Sequence, residues 1–382
     1  MADTVLEVSF GEKTLRATTS ARVTVVAAPV NPSPRPEIGS LLREALDRPL
    51  GSEPLERRVR AGDRVTIIVS DGTRDEPRAE LIAALRERLP AVRLTLAIAS
   101  GTHGPCQGRL PAGVRAEGDV TLVDHDGHDD RGLVTVGTTV RGTPVTVHRC
   151  VLEADLVIAT GVIRPHYFAG WGAGAKAIFP GLGQAAAIRI NHRWKTHATA
   201  RPGSVDDNVC RLDLEEAAAM AAPRAFLLNG VADAHGHLRA AVSGDVRTAF
   251  RAGVERARPW ATVSATASRC NVVDDLSPVT DTLYQASKLV ASVASHLLPG
   301  GTIVLVAPCD RGVGPVEVVN QAIYEIGLRP RLPAQHRILL LSNLPSEMVS
   351  ATYAAPVESL EQAICGVDEL LVVRGASKLL LA

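Results

Sequence analysis

A histidine and a lysine stand ten positions apart in Ile163-Arg-Pro-His-Tyr-Phe-Ala-Gly-Trp-Gly-Ala-Gly-Ala-Lys-Ala-Ile-Phe-Pro-Gly181. An imidazole exchanges protons near neutral pH, and a lysine can serve as a cation or as an amine nucleophile. Gly170, Gly172 and Gly174 lie between His166 and Lys176 and let backbone amides approach a bound group closely. The apolar run Ala154–Thr160 reads as a buried strand, so His166 falls in the loop after a strand's carboxyl end, where open α/β sheets place their ligands.

Other residues offer related chemistry. His103 sits in Ser100-Gly-Thr-His-Gly-Pro105, and His192 follows Asn191. A histidine taken singly is more often a satisfied core or surface residue than a catalyst. No His-Glu-x-x-His joins these three, which argues against a zinc hydrolase, and His235-Gly-His237 reads as a solvated glycine turn. The glycines before Lys176 resemble a phosphate loop, but Ala177 stands where the Walker pattern needs a hydroxyl for magnesium. Nucleoside triphosphate hydrolysis is therefore not expected, although such a turn can still cradle a phosphate. Asp71-Gly-Thr-Arg74 reads either as an Asx turn capping a helix or as a polar site whose Arg74 fork binds a carboxylate or phosphate. Gln285 and Lys288 lie three apart on one helix face, by composition a solvated one.

The elements that must position these groups alternate. Arg64–Ser70 is a β-branched strand, Arg78–Leu89 carries Leu81, Ile82, Leu85 and Leu89 at helical spacing, and Val92–Ala99 is the next strand, together a βαβ unit. Residues 113–153 read as a peripheral meander or sheet edge, and residues 28–36 as a stiff proline loop. A second alternation runs through helix 282–298, strand 302–306, helix 316–326, strand 337–341, a helix near 359–363 and strand 369–373. The fold class expected is α/β: two α/β domains with mainly parallel sheets and the active site in the cleft between them. Residues 1–268 form the catalytic domain and 269–382 a C-terminal domain of three or four strands closing over the substrate.

Composition narrows the partners. Lys plus Arg and Asp plus Glu both number 41, so there is no electrostatic footprint for nucleic acid and a small ligand is favoured. No apolar run is long enough for a membrane helix and the amino terminus lacks signal-peptide character, so a cytoplasmic location is expected. The six cysteines form no Cys-x-x-Cys pair and read mostly as small buried residues. No Gly-x-Gly-x-x-Gly opens a first strand-to-helix turn, which argues against a conventional NAD dehydrogenase.

In order along the chain, Asp71-Gly-Thr-Arg74, Gly101-Thr-His103, the loop from Pro165-His166 through Lys176 to Pro180-Gly181, Asn191-His192 and Tyr284-Gln285-x-x-Lys288 resemble the motifs of the nickel-pincer lactate racemase family. The resemblance spans most of the chain. It implies a racemase or epimerase of 2-hydroxy acids that uses a nickel-pincer nucleotide, nickel pyridinium-3,5-bisthiocarboxylic acid mononucleotide, supplied by cofactor-maturation proteins. Lys176 would bind that group covalently through a thioamide, and His192 would ligate the nickel. Asp71, Thr73, Gly172 and Gly174 would hold the nucleotide, Arg74, Gln285 and Lys288 the substrate. His103 and His166 would alternate as acid and base during reversible hydride transfer. The tryptophans are Trp171, Trp194 and Trp260, so the second-domain tryptophan of lactate racemase itself has no counterpart. Malate, an aryl lactate or an aldonate then stand beside lactate as substrates. The alternatives are a sugar-acid (aldonate) epimerase with the same cofactor and a non-catalytic nickel-nucleotide binding protein.

Overall fold

Val65, Ile67, Ile68 and Val69 are almost wholly buried because the strand Arg64–Ser70 is covered on both faces, the usual state of a parallel strand. It lies inside a six-stranded sheet in a computed structural model that describes residues 4–30, 33–106, 108–115 and 118–382. From edge to edge the strands are Leu238–Asp245, Phe226–Ala232, Leu156–Ile163, Arg64–Ser70, Arg93–Ala99 and Thr121–Asp124. All neighbouring pairs are parallel except that of Leu238–Asp245 with Phe226–Ala232. Leu81 and Leu85 of the helix Arg78–Arg86 and Leu42 and Leu46 of the helix Ile38–Asp47 pack with Ile67, Ile158 and Leu228 in one core.

From Arg64–Ser70 the chain runs first to Arg93–Ala99 on one side and later to Leu156–Ile163 on the other. The strand order therefore reverses between Arg64–Ser70 and Leu156–Ile163. Such a switch point opens a crevice at the strands' carboxyl ends, the point from which Asp71 and His166 emerge. Glu76 ties the two ends together by accepting from the Ser70 hydroxyl at 2.6 Å and from the Val162 amide at 3.2 Å.

The chain divides into two compact units, residues 32–259 and residues 1–31 with 260–382. The sequence alone sets the boundary at 268/269 and assigns the first 31 residues to the catalytic domain. Their place in the other unit follows from pairing: Arg22–Val26 adds a parallel strand beside Glu369–Val373, and Leu6 and Val8 of the Thr4–Phe10/Lys13–Thr19 hairpin bury against Val272, Val304 and Leu370. That unit's sheet has six parallel strands rather than the expected three or four: Ala355–Val357, Arg337–Leu341, Leu297–Val306, Ser268–Asp274, Glu369–Val373 and Arg22–Val26. The expected helix 282–298 ends earlier, as Leu283–Val293, because residues from Leu297 onward enter a strand. Of the segment 113–153, Thr121–Asp124 is the sheet edge, and Leu133–Thr138 pairs with Pro144–His148 as a separate antiparallel ribbon.

Candidate active site

The turn after Arg64–Ser70 is held from inside by Arg78, whose guanidinium donates to the carbonyl oxygens of Ser70 at 2.9 Å, Arg74 at 2.6 Å and Asp71. So fixed, Asp71 turns a buried carboxylate toward two protein partners. Oδ1 accepts from the Thr73 amide at 3.0 Å and the Thr73 hydroxyl at 2.6 Å, and Oδ2 lies 2.6 Å from His103 Nδ1. Burial alone would raise this carboxyl, but the hydrogen bond and charge of His103, with Thr73 and Arg74, outweigh it and hold the pKa at about 2. An ionised carboxylate only accepts, so His103 donates from Nδ1, and whenever the ring is neutral its lone pair is on Nε2. The family resemblance gives Asp71 and Thr73 to a nucleotide; within the protein, one Asp71 carboxylate oxygen meets His103 and the other meets Thr73. The loop carrying His103 is docked by Gly101, whose amide donates to the Gly181 carbonyl at 2.9 Å.

The loop from Pro165 onward is shaped by side chains distant in sequence. Pro165–His166 pairs with Gly170–Trp171 in a miniature hairpin. Gly170 is required there: its φ is 73°, and a Cβ would fall 1.6 Å from the Ser204 carbonyl oxygen. The fully buried Arg211 donates to the carbonyls of Ala169 at 3.2 Å, Trp171, and Ala173 at 3.5 Å, so one guanidinium gathers alternate carbonyls of the loop. Ala173 itself has φ 61° and ψ −159°, a region nearly reserved for glycine. It is clamped by the flanking amides, Gly172 N–H to the Arg164 carbonyl at 2.7 Å and Gly174 N–H to Asn229 Oδ1 at 3.0 Å. Gly174 needs no ligand to explain it, because a Cβ would meet the Phe250 ring at 2.6 Å; at Gly172 the nearest atom would be 3.7 Å away, which leaves room.

Phe168 is the common neighbour of three chemical groups. The His166 ring centroid is 4.6 Å and the His192 centroid 4.9 Å from the Phe168 ring, both edge-on, and Lys176 Nζ is 5.5 Å from its centre. Asn208, at the N-cap of the helix Val209–Ala221, holds the Phe168 carbonyl at 2.8 Å. His166 accepts at Nδ1 from the Ala169 amide at 3.2 Å, so its neutral ring carries the proton on Nε2, the reverse of His103. Burial first, then the Arg211 and Arg74 cations, against the opposing Cys210, bring the Lys176 ammonium down to about 7. Burial, with the charges of Lys176 and Lys195, lowers His192 to about 3 and keeps it a neutral imidazole. In the other unit Lys288 donates to Gln285 Oε1 on the helix Leu283–Val293.

The structure thus gathers Asp71, Thr73, Arg74, His103, His166, Lys176 and His192 in one unit. Sequence reasoning missed Arg211, Asn208 and Asn229. They lie in strands and helices that carry no motif, and an arginine in Val209-Cys-Arg-Leu-Asp213 is conspicuous only for standing among apolar helix positions.

Residues 10–203 match the lactate racemase N-terminal domain family. The lactate racemases of Lactiplantibacillus plantarum and Thermoanaerobacterium thermosaccharolyticum are 27% and 25% identical to this chain, with 85% of it and 84% of each relative covered. The structure of the lactate racemase apoprotein from Thermoanaerobacterium thermosaccharolyticum matches with a TM-score of 0.87 at 22% identity over 99% of this chain and 100% of the other. A structural-genomics structure from Thermotoga maritima matches with a TM-score of 0.67 at 17% identity, over 90% of this chain and 98% of that one. The likeness in structure is one of fold, an α/β architecture with mainly parallel sheets; the family match supports a racemase, and hence an isomerase. By the match over residues 10–203, the chain belongs to the lactate racemase family.

Proposed function

We propose that this protein racemises or epimerises a 2-hydroxy acid with a nickel-pincer nucleotide held by Lys176 and His192. The observation that carries the reading is the opposite hydrogen bonding of two histidines at Nδ1, where His103 meets the Asp71 carboxylate and His166 the Ala169 amide, so that in their neutral forms His103 has a lone pair on Nε2 and His166 a proton there. A site serving both enantiomers needs a base for one and an acid for the other, and exchanging the two states reverses the direction. His103 Nε2 takes the substrate's hydroxyl proton while Asp71 stands behind the positive charge this creates. His166 Nε2 returns a proton when the opposite configuration forms. Arg74, exposed beside Asp71, is the cation in this unit assigned to the substrate carboxylate. Gln285 and Lys288 are assigned to the substrate by family resemblance alone.

The residues present fit the cofactor. A neutral imidazole is a suitable nickel ligand, and an amine with a pKa near 7 is nucleophilic enough at neutral pH to form an acyl-type bond. Among the described residues no three His, Cys, Asp or Glu stand together as a metal site, so nickel on His192 would take its other ligands from the organic group. When bound, that group supplies the acceptor for the substrate's α-hydrogen and its electron pair; the protein's own part is proton transfer, orientation and charge compensation. The absence of any tryptophan after Trp260 supports a substrate range that extends beyond lactate to malate, aryl lactates or aldonates.

The test is intact mass and nickel content of protein co-expressed with a cofactor-maturation system. We expect a covalent increment on Lys176 with near-stoichiometric nickel, loss of the increment in Lys176→Ala, and loss of nickel in His192→Ala. Unchanged mass and metal in both variants would remove the assignment.

A further inference from the structure

Asn191 is completely buried at the end of the helix Ala185–His192, directly before His192. Its amide nitrogen donates to Asp213 Oδ2 at 2.7 Å and to the Cys210 carbonyl oxygen at 3.3 Å; its amide oxygen lies 3.1 Å from His192 Nδ1 and 3.5 Å from the Cys210 sulfur. An amide can be turned end for end without changing shape, so its neighbours must decide which end meets the histidine.

Here they do so twice over. A backbone carbonyl can only accept, so the end facing the Cys210 oxygen has to be the NH2 group. The second vote comes from Asp213, also fully buried. Thr139 Oγ1 accepts the Thr143 amide at 3.0 Å and its hydroxyl donates to Asp213 Oδ1 at 2.5 Å, while the Thr143 hydroxyl donates to Oδ2 at 2.6 Å. With hydroxyl protons on both oxygens, the carboxylate accepts from Asn191 as well. Turning the amide over would set its oxygen against two acceptors and forfeit both of these hydrogen bonds. The Asn191 oxygen is thereby committed to His192, and an oxygen acceptor requires a proton on Nδ1.

We propose that Asn191, held by Asp213 and the Cys210 carbonyl, is a positioning residue that locks His192 in the Nδ1–H tautomer and leaves its one lone pair on Nε2. The direction of the relay, from Thr139 and Thr143 through Asp213 and Asn191, is set by hydrogen-bond chemistry alone. Only the purpose of the Nε2 lone pair, to ligate nickel, rests on the function proposed above. A metal-bound histidine is ordinarily oriented by the partner of its other nitrogen, and this relay supplies one before any metal arrives.

The tautomer can be read in metal-free protein by long-range 15N–1H correlation with labelled histidine, the His192 signals being assigned by their loss in His192→Gln. Histidine side chains free in water favour Nε2–H, so the lock predicts a reversal. We expect a pyrrole-type Nδ1 and a pyridine-type Nε2 in the native protein, with the Nδ1–H form in about tenfold excess or more from one buried, oriented hydrogen bond. In Asn191→Ala, which removes the oxygen facing the ring, the excess should collapse toward or below parity. Nε2–H in the native protein overturns the proposal, as does an unchanged tautomer in a folded Asn191→Ala. Because the native spectrum decides by itself, a variant that fails to fold does not shelter the idea. Nδ1–H in a matured protein that takes up no nickel would confirm the relay and remove only the metal role.

Discussion

Two histidines in the same unit meet a side-chain oxygen at Nδ1, yet they are prepared for different work. His103 faces the Asp71 carboxylate, which is ionised down to about pH 2 and can balance a positive ring. His192 faces the neutral Asn191 amide while burial first, then Lys176 and Lys195, disfavour a second proton, so its pKa of about 3 keeps it neutral throughout the physiological range. One arrangement suits a group that gains and loses protons, the other a group that must present a lone pair. His166, which accepts a backbone amide at Nδ1, is a third case and starts with its proton on Nε2. The comparison teaches that the atom behind the ring, more than the ring's place in a motif, sets what a histidine does.

The contrast can be broken at several points. His103→Ala and His166→Ala should each lower racemisation by about 10²–10⁴-fold, measured by chiral chromatography, while cofactor mass and nickel stay unchanged. Normal turnover in either would end the two-base scheme. Asp71→Asn should lower kcat by about 10–100-fold without loss of nickel, since it disturbs only the orientation and charge support of His103.

The same substitution has a pH signature. The folded-state pKa of Asp71 is depressed to about 2, so its contribution to stability is present above the ordinary carboxylate value and is lost as pH falls through about 2. Thermal melts of Asp71→Asn between pH 4 and pH 2 should therefore fall less steeply than those of the native chain; parallel curves would mean the pair contributes nothing.

Glycine variants separate packing from ligand approach in the loop before Lys176. Gly174→Ala should cost about 1–3 kcal/mol in denaturant unfolding, because φ is 66° and its Cβ would strike Phe250. Gly172→Ala should stay within about 0.5 kcal/mol, and any loss of cofactor from that variant alone would mark a close ligand contact.

A last effect concerns Lys176. Its folded-state pKa of about 7 lies below the ordinary value, so charging it in the fold costs stability at low pH, and the penalty fades as pH rises above 7. Lys176→Met should raise the melting temperature of cofactor-free protein by on the order of 5 °C at pH 6 and by less at pH 9. A larger gain at pH 9 would contradict the electrostatic account of this lysine.

Some of this was legible from residue order alone. Arg64–Ser70 and the run Ala154–Thr160, which the structure extends to a strand over Leu156–Ile163, read as strands because parallel strands covered on both faces are apolar at nearly every position, and the groups at their ends could be named as candidates. The family was legible because its motifs keep residue type and spacing along the chain. What depends on pairing across long separations was not. Arg22–Val26 joins Glu369–Val373 almost 350 residues later, and no local pattern in a short β-branched run says which sheet will accept it. Nor does any local pattern say that Arg211 will gather three carbonyls of the loop before Lys176, or that Asp213 will choose the orientation of Asn191. Sequence determined which titratable groups the site contains. Tertiary structure alone decided their protonation, because burial, neighbouring charge and the direction of a hydrogen bond exist only once distant segments are packed together.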